Sequence, residues 1–435
     1  CCLQETIRLP LMQPKRGSWA SIIGAFRQSC TGLKHADTGY SRETIGILHL
    51  REALRVGLEC LRSLMLAPPS GSGPISVGLA MSSWCQAISP LRVERADSVT
   101  VYYLGQFPPP FGGVTVKNAL LFRLLSAEMD IHKLEFRKSG SFAIGARVLL
   151  SRSGDVFLIG FGNRDLQRLF IKVIGFVRPR VLERLIVIVM GGEISGEIAQ
   201  DKMYARFCQR VRAMYFETKG MAAQVEAVGL RNTRLFPNCR QRPESPWFPK
   251  SNSGMLKVVF FSLVDDSKGA DLVLEAAYRT PGVEYHIYGS LSERFEEKFR
   301  NTVSGLSNVI YHGVFNAVEC DVYAELHNYD VHVLPTRWRG EGVPGILVES
   351  KIAAVPSVVS DFGFNAEIVE NDVSGVVLRE NTVDGLVEAI EMLDGNRTLL
   401  DSLKRGAKES AEDFFPERFL GQILSDIHKW EERGE

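Results

Sequence analysis

Two successive series of alternating strand and helix patterns constrain the fold of this chain more than any other feature of its sequence. The first series begins in residues 99–104, a run of β-branched and aromatic residues, and the second begins in residues 256–261. Runs of this composition favour strands, and the amphipathic stretches between them favour helices. Strands that alternate with helices predict parallel sheets covered by helices, so we expect two α/β domains.

The individual elements follow from the same patterns. In the first series we predict strands at residues 99–104, 146–150, 156–160, 185–190 and 234–236, and helices at residues 116–125, 165–177, 196–209 and 218–228. In the second series we predict strands at residues 256–261, 284–288, 309–312, 331–334 and 357–360, and helices at residues 272–278, 322–326 and 347–353. Because α/β sheets bind ligands at the carboxyl ends of their strands, we expect a ligand cleft between the two domains.

A proline-rich linker separates the two series. Three prolines fall within residues 243–249, and a Ser-Asn-Ser-Gly stretch follows them. Such residues mark loops rather than helices or strands. We therefore place a first domain at residues 99–248, a second domain at residues 249–412, and a last helix at residues 413–435 that packs back toward the first domain.

The segment before the first series lacks a clear structural pattern. Residues 1–98 show no sustained period apart from an amphipathic stretch at residues 44–66, which ends in a turn-rich stretch at residues 67–74. We interpret the segment as an N-terminal extension, poorly ordered or helical, with no assigned function. A contact with a membrane or a partner is the alternative.

The composition is that of an ordinary globular protein. Of the 435 residues, 45% are hydrophobic and 23% are charged, which allows two buried cores. The longest apolar stretch, at residues 171–190, contains five charged residues, so we expect no membrane-spanning helix. The eight cysteines form no C-x-x-C pair, and we interpret them as reduced thiols of a cytoplasmic protein.

The net charge of zero conceals an asymmetry between the two halves of the chain. Residues 99–250 carry 23 Lys and Arg against 12 Asp and Glu, whereas residues 251–435 carry 17 against 32. A basic first domain suits peripheral contact with an anionic membrane, for example through the basic stretch at residues 164–184. Attraction between the two halves across the cleft is an equally physical explanation.

The most specific stretch is residues 334–350, where a predicted strand passes through a glycine-rich turn into a predicted helix. Glu341 and Glu349 stand eight positions apart around this turn. Free backbone N–H groups at a helix amino terminus suit an anionic or hydroxyl-rich ligand, and the flanking glycines permit a close approach. A carboxylate about two turns further on can accept hydrogen bonds from vicinal hydroxyls, such as those of a ribose.

This pattern resembles the donor site of the retaining glycosyltransferases of family 4, in which E-G-x-P-x-x-x-x-E is followed by a small residue, G-x-P and a strand. The resemblance extends over residues 99–415. Residues 261–271 are similar to the family's strand, loop and Lys-Gly entry to a helix, and residues 108–116 are similar to its glycine loop. Residues 215–218 and 236–240 resemble segments of bacterial exopolysaccharide and capsule transferases.

The resemblance implies a fold and roles for individual residues. The fold would be GT-B, with two Rossmann-like domains facing a cleft, the first for the acceptor and the second for a nucleotide-sugar donor. Glu341 would lie at the transferring sugar, and Lys268 would offset charge on the leaving diphosphate. Glu349 would bind the donor ribose. The other donor-binding residues would be Gly112, Gly113, Gly342, Val343, Pro344 and Gly345, through their backbones.

By the same resemblance the chain would be a retaining hexosyltransferase of polysaccharide biosynthesis. It would move a sugar from a nucleotide-diphosphate donor, by family habit a UDP-sugar, to a glycan or lipid-linked acceptor. The sequence has no Asp-x-Asp motif and no cluster with metal-ligand spacing, so we expect neither metal nor cofactor. We expect no nucleic-acid partner and a cytoplasmic location, on the inner membrane face if the basic domain contacts lipid.

Three departures from the family pattern keep other functions open. Residues 190–192, Met-Gly-Gly, stand where the family commonly has His-Gly or His-Asp, Ser262 stands where it usually has Arg, and Ala354 stands where it usually has Gly. One alternative is a catalytically weak nucleotide-sugar binding protein, and another is a nucleotide-sugar epimerase of the same architecture. A nicotinamide dehydrogenase is disfavoured, because no G-x-G-x-x-G follows the first strand of either domain.

Overall fold

A computed structural model of the chain describes residues 100–109, 112–135, 145, 147–149, 151–251, 253–338 and 340–428. The described residues belong to one compact unit, Glu94–Glu435. The N-terminal extension predicted at residues 1–98 lies outside the described residues.

The first sheet has six parallel strands in the order β2-β1-β3-β4-β5-β6. Its strands are β1 (Val101–Gly105), β2 (Ile131–Glu135), β3 (Val156–Gly160), β4 (Leu185–Ile188), β5 (Ala213–Phe216) and β6 (Thr233–Leu235). Every residue of β1, β3, β4 and β5 is buried, as expected for parallel strands covered on both faces by helices.

The helices of this half whose bounds the structure describes are α1 (Gly113–Glu128), α2 (Arg164–Val177), α3 (Ile194–Gln200), α4 (Lys202–Cys208) and α5 (Lys219–Ala227). Side-chain caps fix where three of them begin. Asn163 accepts a hydrogen bond from Leu166 N at the start of α2, and Thr218 accepts one from Met221 N at the start of α5. The third cap is Asp201, which accepts a hydrogen bond from Tyr204 N at the start of α4. Such caps satisfy backbone N–H groups that the first helical turn leaves unpaired.

The second sheet also has six parallel strands, in the order β12-β11-β10-β7-β8-β9. Its strands are β7 (Lys257–Phe261), β8 (Glu284–Tyr288), β9 (Val309–Gly313), β10 (Val331–Leu334), β11 (Ser357–Ser360) and β12 (Gly375–Leu378). The strand order reverses between β7 and β10. Ligands of open α/β sheets bind at such a switch point, so the loops after these two strands are where a site is expected.

Eight helices follow in the second half: α6 (Ala270–Arg279), α7 (Glu293–Val303), α8 (Val322–Leu326), α9 (Gly345–Ile352), α10 (Asn365–Ile368), α11 (Val383–Gly395), α12 (Arg397–Ser410) and α13 (Glu417–His428). The last of them, α13, leaves the second sheet and packs on the first. Ile423 and Ile427 join the hydrophobic core formed by β1 and α1, and Tyr215 of β5 donates a hydrogen bond to Asp426 at 2.7 Å.

The expectation of two parallel α/β sheets is confirmed, and one predicted strand is wrong. Residues 147–149, within the strand predicted at 146–150, are helical. Strand β2 was not predicted. It lies at the edge of the sheet, and the three side chains in its centre are partly or fully exposed. It therefore lacks the continuous apolar run by which buried strands are recognised. Among the described residues, no helix is both long enough and apolar enough to cross a membrane.

Candidate active site

The stretch with the paired carboxylates connects β10 to α9. Every residue of strand β10 is buried, so the position at which the loop begins is fixed by the core. Helix α9 begins at Gly345 with Pro344 before it. Pro344 lacks an N–H and has a fixed φ, which suits the start of a helix. The loop between β10 and α9 therefore enters the switch point of the second sheet.

Lys268 and Glu341 meet at this point. Lys268 Nζ donates a hydrogen bond to Glu341 Oε2 at 2.5 Å, and the two side chains are only 15% and 12% exposed. Thr336 Oγ1 donates to the same carboxylate oxygen at 3.1 Å, and the ammonium lies 5.2 Å from the centre of the Trp338 ring. The structure thus places the two residues expected to be catalytic in direct contact.

The loop that carries Lys268 is held from several sides. Asp265 accepts a hydrogen bond from Ser267 N and pairs with Arg294, whose hydrogen bonds hold the pKa of the Asp265 carboxyl well below its usual range. Gly269 has φ +83°, and a Cβ there would overlap the backbone oxygen of Pro335. Because only glycine tolerates both conditions, Gly269 fixes Lys268 against the β10 loop.

Glu349 has a partner that we did not predict. Arg240 Nε donates a hydrogen bond to Glu349 Oε1 at 2.7 Å, and the Arg240 side chain is only 6% exposed. A Cβ at Gly345 would overlap Nη2 of Arg240, so this glycine provides the space for the guanidinium. Arg240 follows the last strand of the first sheet in the chain, whereas Glu349 lies on α9, a helix of the second domain. The hydrogen bond between them therefore joins the two domains.

The backbone of Val343 also contacts the first domain. Glu217 Oε2 accepts a hydrogen bond from Val343 N at 3.1 Å, and Asn238 Nδ2 donates one to Val343 O at 2.8 Å. Glu217 in turn pairs with Lys117 at 2.7 Å. We did not predict these contacts, although Glu217 and Arg240 lie in the two segments whose resemblance to capsule transferases carried no assigned role.

The Met-Gly-Gly segment borders the same loop. A Cβ at Gly192 would overlap the backbone oxygen of Glu341, and a Cβ at Gly342 would lie 3.0 Å from Gly191 Cα. The two backbones can approach this closely because side chains are missing on both sides. Met190 is 5% exposed and packs in the core of the first sheet, so its side chain does not face the cleft.

Gly112 and Gly113 lie at the amino terminus of α1. No atom lies within 4 Å of a Cβ built at either glycine. Gly112 N donates a hydrogen bond to Thr115 Oγ1, so one of the free amides of this helix start is already paired. The structure brings Lys268 into contact with Glu341, and Gly342–Gly345 connect Glu341 to helix α9, which carries Glu349. The hydrogen bonds of Gly112 lie within the start of α1.

A cleft of about 570 Å³ opens beside Glu341. Its lining is rich in carboxylate, amide and hydroxyl groups with two phenylalanines, and comprises Gly192, Glu193, Ser195, Gly196, Glu197, Gln200, Gln224, Glu341, Phe362, Gly363 and Phe364. Burial raises the pKa of Glu197, and the nearby Arg164 opposes this effect.

Among the described residues, no group of three or more His, Cys, Asp or Glu side chains is placed to hold a metal ion.

The basic stretch at residues 164–184 is largely engaged within the protein. Arg164 pairs with Glu193 and Glu197, and Lys172 pairs with Asp201. Arg178 and Arg184 donate hydrogen bonds to backbone oxygens. These contacts account for much of the stretch's positive charge without a membrane.

Comparison with protein families identifies the second half of the chain. The family described as Glycosyl transferases group 1 matches residues 241–410. The chain is 29% identical over 218 residues to an exopolysaccharide phosphotransferase of Streptomyces coelicolor, a match that covers 48% of this chain and 21% of the relative. It is 26% identical over 164 residues to the O-antigen biosynthesis glycosyltransferase WbnH of Escherichia coli, covering 37% of this chain and 44% of the relative. The chain therefore spans less than half the length of either relative.

Solved structures share the arrangement of the two sheets. Anabaena HepE in complex with UDP superposes with a TM-score of 0.58 at 14% identity, over 76% of this chain and 99% of that one. Sucrose-phosphate synthase from Thermosynechococcus elongatus superposes with a TM-score of 0.59 at 14% identity, over 76% and 98%. At this identity the likeness shows the fold alone, which is GT-B. Residues 241–410 of this chain therefore match the glycosyl transferases group 1 family, and the chain has a two-sheet GT-B fold.

Proposed function

We propose that the chain is a retaining glycosyltransferase that moves a sugar from a nucleotide-diphosphate sugar, in the synthesis of a polysaccharide. The observation that carries this proposal is the 2.5 Å contact between Lys268 and Glu341 at the switch point of the second sheet. The group 1 match over residues 241–410 supports it. The names of two relatives, one from exopolysaccharide and one from O-antigen synthesis, favour polysaccharide as the product class.

The contact provides the two charges that glycosyl transfer needs. In the absence of donor, Lys268 and Glu341 neutralise each other in a site where little solvent reaches them. A bound diphosphate would attract the ammonium, and the carboxylate would then face the sugar ring, on which positive charge develops. Charged groups that are already in place can stabilise the charge that develops in the transition state. In a site with little water, this stabilisation is usually the largest contribution to catalysis.

Retention follows if the acceptor attacks the face of the sugar that the diphosphate leaves. The bond between the anomeric carbon and the phosphate oxygen breaks, and a bond from that carbon to the acceptor oxygen forms. The acceptor proton passes to the departing phosphate oxygen, so the reaction needs no protein base. A uridine nucleotide is the donor that we favour, supported by the UDP and UDP-glucose complexes of the similarly folded HepE.

The cleft beside Glu341 favours a neutral, hydroxyl-rich acceptor. Glu193 and Glu197 lie in its wall together with Gln200 and Gln224, groups that accept or donate hydrogen bonds to sugar hydroxyls. Phe362 adds a ring face against which a sugar can lie. Because the described residues of the wall include carboxylates and no Lys or Arg, a neutral glycan suits the cleft better than an acceptor whose anionic group enters it.

The alternative is a nucleotide-sugar binding protein with weak activity. It is favoured by the burial of Met190 in the first core and by Ser262 at the end of β7, because neither supplies the polar or cationic group that the resemblance implies. The two functions differ in turnover and not in binding.

Turnover distinguishes them directly. The purified chain would be incubated with UDP-glucose, UDP-galactose and UDP-N-acetylglucosamine, with and without a mixture of neutral oligosaccharides, and the released nucleotide would be measured by chromatography. We expect release of UDP, stimulated by oligosaccharide, and at least a tenfold lower rate for Lys268→Ala.

Three results would contradict the proposal. Binding of UDP-sugar without nucleotide release would favour the binding protein, and conversion of one donor into another would favour the epimerase. Release of UMP in place of UDP would indicate transfer of a sugar phosphate, which is the activity class that the name of the Streptomyces relative suggests.

A further inference from the structure

Polar side chains of the first domain enclose the loop that starts α9. Val343 is held at both of its backbone groups, by Glu217 at the N–H and by Asn238 at the C=O. Glu217 and Asn238 are 5% and 4% exposed. Side chains this deeply buried are fixed in place, so the contact forms part of the way the two domains meet.

The charges in this region balance one another along a single network. Lys117, 1% exposed, pairs with Glu217, and Asn238 Oδ1 accepts a hydrogen bond from Arg240 Nη1 at 2.8 Å. Arg240 then pairs with Glu349. Of these two cations and two carboxylates, Lys117, Glu217 and Arg240 belong to the first domain and Glu349 belongs to the second. Each of the four charges has a partner of opposite sign, and a buried charge without one would be costly.

Arg240 holds only one side of the Glu349 carboxylate. Its Nε binds Oε1, and no described residue donates a hydrogen bond to Oε2. The Glu349 side chain is 18% exposed, so the protein does not enclose it completely. A carboxylate fixed through one oxygen and open at the other is suited to accept hydrogen bonds from a ligand.

We propose that Arg240 is a positioning residue for nucleotide binding: the first domain uses it to orient Glu349, so that Oε2 receives a ribose hydroxyl of the donor. This inference rests on the proposed function. Arg240 acts through Glu349 and does not touch the nucleotide. The donor site of the second domain is therefore completed by a residue that precedes the second sheet.

The chemistry of arginine explains why this residue type is used. The planar guanidinium binds Glu349 through Nε and Asn238 through Nη1 at the same time, and its rigid fork fixes the angle between these partners. A lysine at the same position would keep the charge but would orient the carboxylate less well. Arg240→Lys should therefore retain part of the function.

The test compares UDP binding by calorimetry in the full-length chain. We expect Arg240→Met to weaken UDP binding about tenfold or more, and Arg240→Lys to weaken it by a smaller factor. The matched control is Arg242→Met. Arg242 is two positions away and binds Glu412 through two hydrogen bonds, but it does not contact the α9 loop, so UDP affinity should stay unchanged.

A double-mutant cycle separates positioning from general loss of structure. In a Glu349→Gln background, Arg240→Met should cause little further loss of UDP affinity, because the residue through which Arg240 acts has already been altered. Equal weakening in both backgrounds would overturn the inference, and so would unchanged affinity in Arg240→Met. If Arg240→Met does not fold, Arg240→Lys is measured in the same two backgrounds with the same criteria.

Nucleotide binding by the parent chain shows whether a negative result contradicts the positioning role of Arg240 or the proposed function. UDP binding by the parent together with equal binding by the Arg240 variants would overturn the positioning role alone. Absence of nucleotide binding by the parent, with UDP, GDP and ADP each tested, would overturn the proposed function and this inference with it.

Discussion

At the scale of single residues, the two carboxylates of the β10–α9 stretch differ in their partners. Glu341 contacts Lys268, a residue on the loop after β7, and Glu349 contacts Arg240 from the first domain. Glu341 lies on the loop before α9 and Glu349 lies on α9 itself, and carboxylates with different positions and different cations can serve different parts of a ligand. The proposed roles, at the sugar and at the ribose, therefore lead to different mutant behaviour.

Glu349→Gln should mainly weaken donor binding. It keeps the size of the side chain but removes charge-assisted hydrogen bonds of about 1.5–3 kcal/mol. The Michaelis constant for donor should rise, and UDP should bind less tightly, with a smaller change in kcat. Steady-state kinetics and calorimetry with UDP measure the two quantities. A fall in kcat with unchanged UDP affinity would contradict the ribose role.

Glu341→Gln should show the opposite division. Positive charge that develops on the sugar ring would lose a nearby anion, so kcat should fall by more than UDP affinity. UDP itself lacks the sugar, which makes its affinity the internal control. If Glu341→Gln turned over like the parent, the 2.5 Å contact with Lys268 would have only a structural role.

Glu197 in the cleft wall gives a prediction about pH. Its pKa is raised by burial, so the fold favours the protonated form. The corresponding stability is complete below the unfolded pKa of about 4.3 and is lost as the pH rises through the higher folded value. Glu197→Gln should therefore raise the melting temperature at pH 7 and give less gain at pH 4. The control variant is Glu193→Gln, which changes the more exposed carboxylate that pairs with the same Arg164.

At the scale of elements, the end of α9 contains backbone strain. Ala354 has φ +60° at the position where the family usually has Gly, and Ala353 before it has φ −74°. A non-glycine residue in the left-handed region costs about 1–2 kcal/mol. Because alanine stands at this position, the backbone there is strained.

Ala354→Gly should stabilise the chain, by about 1 kcal/mol or less, because glycine adopts this conformation freely while adding some entropy to the unfolded chain. The neighbouring Ala353→Gly is the matched control, and it should destabilise, since its conformation suits alanine. Unfolding in urea, followed by fluorescence, gives both values. A lower stability of Ala354→Gly would show that the strain is relieved in another way.

What could be predicted from the sequence was local in the chain. The strand, turn and helix at residues 331–352 follow from a short pattern of apolar and glycine residues, and the loop and helix start at residues 262–270 follow from the Lys-Gly entry. The contacts of Glu349 with Arg240 and of Val343 with Glu217 join residues 109 and 126 positions apart. They depend on how the two domains meet, which no local pattern encodes.

At the scale of the whole molecule, residues of both domains meet around the loop between β10 and α9. The second sheet provides Lys268, Glu341 and Glu349, and the first domain provides the buried side chains that hold the α9 loop. Helix α13 returns from the second sheet to the first and buries Ile423 and Ile427 there. The chain thus crosses between the domains twice, which restricts how far they can separate.

The most direct test of this account is hydrogen–deuterium exchange of the full-length chain with and without UDP. A nucleotide at the switch point of the second sheet should slow exchange in residues 262–270, around Lys268, and in residues 340–352, around Glu341 and Glu349. The same regions should show no protection with UDP in Glu349→Gln at concentrations that protect the parent. Protection by UDP confined to other parts of the chain, with these two segments unchanged, would contradict the account.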